Sequence, residues 1–154
     1  MPASAIPLSI KFLRESARAH PPTQATPGSA GLDLRADLDT PTLTIAPGQR
    51  AAVPTGIAIE VGKPGIAGFV FSRSGLGAKH GLTVAQGVGV IDPDYRGEII
   101  VWLLNTSAEP LTINRHDRIA QLVLAPFVRP IVTPVDDLDA TARGAGGFGH
   151  TGRE

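Results

Sequence analysis

The chain has 154 residues, with 14 Lys and Arg against 14 Asp and Glu, a formal net charge of zero and no cysteine. That balance offers no polycation to neutralise a nucleic-acid backbone, and the missing thiols exclude disulfide frameworks, thiolate zinc sites, iron-sulfur clusters and Cys nucleophiles. A chain of this length forms one domain with a sizeable core, and its 18 Gly and 14 Pro make up about one residue in five, against roughly 12% on average.

Residues 1–7 contain no basic region followed by an apolar one, so the chain reads as unexported, in a reducing, cytoplasmic setting. Short runs with apolar residues two apart follow, at Leu32/Leu34/Ala36, Leu43/Ile45, Ile57/Ile59/Val61 and Leu111/Ile113. That is the period of a half-buried strand. Turn signals separate them, at Pro47-Gly48, Lys63-Pro64-Gly65 and Asp92-Pro93-Asp94. The pattern predicts an all-β sandwich or barrel. One helix is expected, over residues 74–81, with Ser74 as N-cap and Gly81 as terminator. Residues 88–99 read as a β-hairpin whose tip carries two acids, the only Tyr and an Arg. The run 99–104 is apolar on both faces and predicts a strand covered on both sides, one of them by a neighbouring subunit. It is the longest apolar run, far short of the ~20 residues of a membrane helix. After Pro134 comes an acidic patch and then a Gly-rich tail, expected to be mobile when no ligand is bound.

Several segments carry chemistry. The tail contains Gly144-x-Gly146-x-x-Gly149, formally a dinucleotide fingerprint, but no room for a helix follows it. Consecutive glycines still let several backbone N–H groups converge on one anion, and Arg143 can pair bidentately with phosphate. Phe148 stands among these glycines, suited either to stacking on a base or to pinning the tail to the barrel. Arg73, Ser74 and Gly75 place a guanidinium, a hydroxyl and an unhindered N–H together, a second candidate phosphate site. Asp92, directly after Val90-Ile91, reads as a partly enclosed carboxylate and a candidate general base. Asp33 lies on the face opposite Leu32 and Leu34, by itself the pattern of a solvated strand acid. Asp117-Arg118 and Gln121 are unspecific alone. The four histidines show no metal-ligand spacing, and no catalytic role falls to them.

In this order and spacing, segments 30–34, 72–77, 89–99, 117–123 and 143–152 resemble the five motifs of the trimeric deoxyuridine triphosphatase (dUTP pyrophosphatase) family, over roughly residues 9–152. The resemblance implies a jelly-roll-like β-barrel of the β-clip type over residues 1–135. It also implies a flexible arm, residues 136–154, that closes over a neighbouring subunit's active site in a homotrimer with shared sites. An extended arm of about 20 residues spans ~60 Å, enough for that reach. The reaction implied is hydrolysis of dUTP to dUMP and pyrophosphate, which supplies dUMP for thymidylate synthesis and keeps uracil out of DNA.

By the same resemblance the segment from Gln86 to Ile100 holds uracil, largely through the backbone around Val90 and Ile91, and Tyr95 lies beneath the deoxyribose and rejects a 2′-hydroxyl. Asp92 activates the water that attacks the α-phosphorus. Arg73, Ser74 and Gly75 cradle the phosphates, Gln121 positions the α-phosphate, Arg143 grips the γ-phosphate, Phe148 stacks on uracil, and Gly149 and Thr151 complete the closure. Magnesium is carried by the triphosphate and water, with Asp33 in its outer shell and no direct protein ligand. Neither nucleic acid nor membrane is a partner. Three positions depart from the family pattern: His150 for Ser, Gln86 for Asn and His116 for Gly. Two alternatives share the barrel: a dCTP deaminase-type enzyme, which needs a catalytic Glu near the base, where Glu98 stands, and a dUTP-gated regulatory protein.

Overall fold

Among the described residues of this computed structural model, 5–147, the chain forms twelve short strands, one five-residue α-helix and one π-helical turn. In chain order these are β1 (Leu8–Phe12), α1 (Glu15–Ala19), β2 (Thr23–Gln24), β3 (Leu32–Arg35), β4 (Thr42–Ile45), β5 (Arg50–Pro54) and β6 (Ile57–Val61). Then follow β7 (Ile66–Ser72), the π-helical turn (Gly75–Lys79), β8 (Leu82–Val84), β9 (Val88–Ile91), β10 (Ile100–Asn105), β11 (Leu111–Asn114) and β12 (Arg118–Pro126). The largest sheet runs β2-β3-β12-β7-β9, a second runs β5-β10-β8, and β1-β6 and β4-β11 form two antiparallel pairs. The architecture is all-β, as the alternation predicts, and jelly-roll-like, as the resemblance implies.

The core lies between these sheets. Leu34, Val53, Ile57, Val101, Leu103 and Leu122 are essentially inaccessible, each contributing roughly 1.5–3 kcal/mol of transfer free energy. Asn105, also fully buried, satisfies all its polar capacity. Its Nδ2 donates to the carbonyls of Ile45 and Glu109 at 2.8 Å, and its Oδ1 accepts from Ser107 N–H at 2.9 Å and Ser107 Oγ at 2.7 Å.

Several expectations change. Helix α1 has no apolar period to announce it; it carries Ala17 into the core. Residues 74–81 do not form an α-helix: only the π-helical turn appears, Ser74 makes no side-chain cap bond, and Gly81, at φ +75, does terminate it. Two glycines in one turn leave too little intrinsic helix stability to enforce regular geometry. Residues 88–99 are not a hairpin. Strand β9 pairs with β7, whereas β10 pairs with β5 and β8. Between them Tyr95 N–H closes a turn on Asp92 O at 3.1 Å, and Ile99 N–H then donates to Ile57 O at 2.9 Å, carrying the chain from one sheet to another. Within the single chain β10 and the residue before it are covered on one face: Ile99, Val101 and Leu103 are buried, and Ile100 and Trp102, 48% and 46% exposed, lie on the face expected to meet a neighbouring subunit.

The turn into β12 is set by His116, whose φ of +70 is the left-handed conformation glycine favours. Its N–H donates to Ala36 O at 2.7 Å and its carbonyl accepts from Arg35 at 3.0 Å. Its ring stacks on His20, with centroids 3.8 Å apart. Burial, and then the charge of His20, with Arg115 and Arg35 acting the same way against the opposing pull of Asp37, hold the His116 imidazole below its ordinary pKa of 6.5. As pH falls through 6.5 the unfolded chain therefore takes up this proton before the folded one, and stability declines. His116→Asn keeps a residue that tolerates positive φ and removes the titration. Between about pH 7.5 and 5.5 the wild type is expected to lose more stability than this variant in urea melts; parallel pH profiles would contradict the assignment.

Candidate active site

The five-stranded sheet brings three charged side chains together at one end. Asp33 on β3, Arg73 just after β7 and Arg118 at the start of β12 belong to adjacent segments, because β12 lies between β3 and β7. Asp33 is only 6% exposed. Its Oδ1 accepts from Arg73 Nε at 2.8 Å and its Oδ2 from Arg118 at 3.0 Å, while Arg73 also donates to the Arg118 carbonyl at 3.1 Å. The solvated strand acid suggested by the alternation is therefore a buried clamp: the outer face of β3 is covered by two guanidinium groups. Arg73 and Arg118 border a cavity of about 270 Å³ with Leu76, Leu82 and Asp117. Alternation alone left Arg118 unspecific; its partnership with Asp33 depends on strand order.

Gln121 sits on the same strand as Arg118, where its Nε2 donates to Ser72 O at 3.1 Å. It lies so close to Gly31 that a Cβ there would come within 2.9 Å of its Oε1. Ser72 Oγ accepts from Val84 N–H at 2.8 Å, fixing the strand end from which Arg73, Ser74 and Gly75 emerge. Nothing would crowd a Cβ at Gly75, so the chain has open space on that side of the turn.

A separate cavity of about 230 Å³ lies between β9, β10 and the segment that joins them, lined by Gln86, Val90, Ile91, Asp92, Tyr95 and Glu98 among others. Ile100 borders it too. Complete small-molecule pockets run to ~300–1,000 Å³, so this cavity is small for a whole ligand. Strand β9 is the edge of its sheet, paired on one side only, which leaves backbone donors and acceptors free on the other. Asp92 is exposed, not partly enclosed as its neighbours Val90-Ile91 suggested. Tyr95 is 45% exposed, and its Oη donates to Glu98 O at 3.0 Å. Glu98 itself accepts from Gly56 N–H at 2.7 Å.

The two sets line different cavities. Asp92 and Tyr95 border one, Arg73 and Arg118 the other. Arg143 borders neither: it is exposed and folds onto its own segment, its Nε donating to Gly146 O at 2.9 Å. Phe148, Gly149, His150 and Thr151 lie outside the described residues. Among the described residues no group of three or more His, Cys, Asp or Glu side chains could hold a metal ion, and no helix is long and apolar enough to cross a membrane.

The dUTPase family model matches residues 17–152. A deoxyuridine 5′-triphosphate nucleotidohydrolase of Desulfitobacterium hafniense is 50% identical over 149 residues, covering 97% of this chain and 98% of the relative. One of Shewanella oneidensis is 49% identical over 148 residues, covering 95% and 97%. The solved Staphylococcus bacteriophage 80alpha dUTPase with dUPNHPP superposes with TM-score 0.79 at 25% identity, over 95% of this chain and 98% of that one. A mutant dUTPase from phage phi11 of S. aureus, solved with a structural Mg(II) ion coordinated, superposes with TM-score 0.74 at 24% identity, over 87% and 99%.

Replacing Asp33 by Ala leaves two part-buried guanidinium groups facing each other without their counter-charge. Breaking a fully buried pair costs about 3–5 kcal/mol. With the Arg118 side chain 43% exposed, a loss of about 2 kcal/mol is expected in urea unfolding. A variant as stable as the wild type would show that Asp33 holds neither arginine.

Proposed function

The chain belongs to the dUTPase family, and from that premise we propose that it hydrolyses dUTP to dUMP and pyrophosphate at sites shared between three copies of the chain. The observation that carries the shared-site half of this reading is the division of the machinery. The nucleoside pocket with Asp92 and Tyr95 and the guanidinium cradle with Arg73 and Arg118 line separate cavities, whereas one substrate molecule must be held at base, sugar and phosphates together. A neighbour's cradle facing this chain's pocket completes the site. The apolar surface supports the same assembly: Ile100 and Trp102 stand exposed on β10, and beyond β12 Val128, Ile131 and Val132 are at least 84% exposed. Large apolar side chains this exposed are what an interface between copies would cover. The barrel, residues 1–135, is the body of the trimer, and the arm, residues 136–154, reaches a neighbour's site.

In this reading the free edge of β9 around Val90 and Ile91 supplies the backbone donors and acceptors that match the polar edge of uracil, with Gln86 beside them. Tyr95 lies under the deoxyribose, and Ile100 closes the wall. Arg73 and Arg118, pre-set by Asp33, meet the phosphates together with Ser74 and the N–H of Gly75, while Gln121 positions the α-phosphate. Asp92 orients and deprotonates the water that attacks the α-phosphorus. The leaving group is pyrophosphate. Arg143 grips the γ-phosphate as the arm closes, with Phe148 over the base and Gly149 and Thr151 at the phosphates. Closure excludes bulk water and fixes the triphosphate, the positioning and electrostatic work that phosphoryl chemistry needs.

The donor set fits magnesium that arrives on its nucleotide. There is no cluster of carboxylates or imidazoles among the described residues to cage an ion, and each Asp33 oxygen already accepts from a guanidinium group, which suits a water-mediated outer-shell contact better than a direct bond. When bound through triphosphate oxygens and water, magnesium would neutralise phosphate charge. The deaminase alternative loses support, because it needs a free carboxylate at the base and Glu98 has its Oε1 on Gly56 N–H.

With magnesium present, pyrophosphate is expected from dUTP and not from dCTP, dTTP or UTP. Asp92→Asn is expected to lower kcat by about 10²–10⁴-fold, the usual contribution of a general base. Undiminished turnover in that variant would remove Asp92 from the role, and ammonia released from dCTP would put the deaminase in its place.

A further inference from the structure

Glu98 lines the same cavity as Asp92 and Tyr95 and is half-buried, yet the reaction as proposed gives its carboxylate nothing to do. Its Oε1 accepts from Gly56 N–H at 2.7 Å. Two further bonds flank this one: Thr55 Oγ1 donates to Ile99 O at 2.6 Å, and Ile99 N–H donates to Ile57 O at 2.9 Å. Residues 98 and 99 are thereby riveted to residues 55–57. Gly56 is buried at φ +68, where a Cβ would overlap Asp37 and lie 2.6 Å from Ala17 Cβ, so the position is packed around a bare glycine.

The other end of Glu98 meets the tyrosine. Its carbonyl accepts from Tyr95 Oη at 3.0 Å, and the phenol lies against Gly97, where a Cβ would overlap Tyr95 Oη. The ring is therefore aimed by one carbonyl and one bare Cα, and the bond of the Glu98 side chain to Gly56 helps to place both, beside the Ile99 bonds to Thr55 and Ile57. The ring is otherwise open, at 45% exposure.

We propose that Glu98 is a positioning residue that sets the Tyr95 ring at the angle that closes the pocket to a ribose 2′-hydroxyl. This rests on the dUTP reading above. Without the carboxylate, Gly56 N–H is left buried and unpaired, and the segment between the Asp92 turn and Ile99 keeps the Ile99 bonds but loses the one that fixes residue 98. The tyrosine moves with it. A displacement of about 1 Å is enough to alter rates by up to 10²-fold, and here it falls on sugar discrimination.

The test compares full-length wild type, Glu98→Ala and Glu98→Gln for turnover of dUTP and UTP. Tyr95 is the only tyrosine in the chain, so fluorotyrosine labelling gives a single ¹⁹F resonance that reports the ring without reference to activity. Glu98→Ala is expected to lower the dUTP-to-UTP ratio of kcat/KM by about tenfold, chiefly through a raised KM for dUTP, and to shift and broaden the resonance. Glu98→Gln keeps an acceptor oxygen for Gly56 and is expected to restore both. An unchanged ratio and resonance in Glu98→Ala overturns the proposal, as does Glu98→Gln behaving like Glu98→Ala, which would assign the effect to charge. Should Glu98→Ala not fold, Glu98→Asp, one methylene too short for the bond, takes its place with the same expected effects. If the wild type does not turn over dUTP at all, the proposed function fails separately, and the resonance still decides whether Glu98 holds the ring.

Discussion

A carboxylate almost withdrawn from water needs cations within reach, and Asp33 has two, at 2.8 and 3.0 Å. The interaction ties together three neighbouring segments of the largest sheet, since Asp33, Arg73 and Arg118 come from β3, the end of β7 and β12. It decides more than stability. Each guanidinium keeps donors that these bonds do not use, at the cavity both arginines border. In the proposed reaction the structural clamp would serve as a preset cradle, with little reorganisation left when phosphate arrives.

The second constraint is the route of the chain between β9 and β10. Because these strands belong to different sheets, the intervening residues must bridge them, and the bridge becomes the wall of a pocket. Its ends are fixed by a turn at Asp92 and by the bonds of Glu98 and Ile99 to residues 55–57. Asp92 and Tyr95 ride on this bridge. A side effect of the layout is that Asp92 and Tyr95 line one cavity and Arg73 and Arg118 another, the division on which the proposal of a shared site rests.

Strand positions were legible in the sequence, because period-two alternation reports burial directly and turn residues mark the breaks. The five spaced motifs were legible for the same reason that they are local: each sits within one loop or strand end. What was hidden depends on which strands become neighbours. Residues 88–99 look like a hairpin because a turn signal sits between two apolar runs, and nothing local says that β9 will choose β7. Asp33 looks solvated because its alternation is that of an outward face, and only strand order reveals the two arginines covering it. Asp92, expected to be partly enclosed by its apolar neighbours, is exposed in the single chain. His116 looked like an unexplained substitution until its positive φ and the His20 stack gave the reason a glycine suits that turn.

The central claim is that the site is divided between copies of the chain, and mixing inactive variants tests it most directly. Asp92→Asn damages only the pocket, and Arg73→Ala damages only the cradle. Each is expected to be nearly inactive alone. When the two are unfolded together and refolded as a mixture, mixed assemblies pair an intact pocket from one chain with an intact cradle from another, and dUTP turnover is expected to reappear. Turnover no greater than the sum of the two separate variants would contradict the account and place the whole site within a single chain.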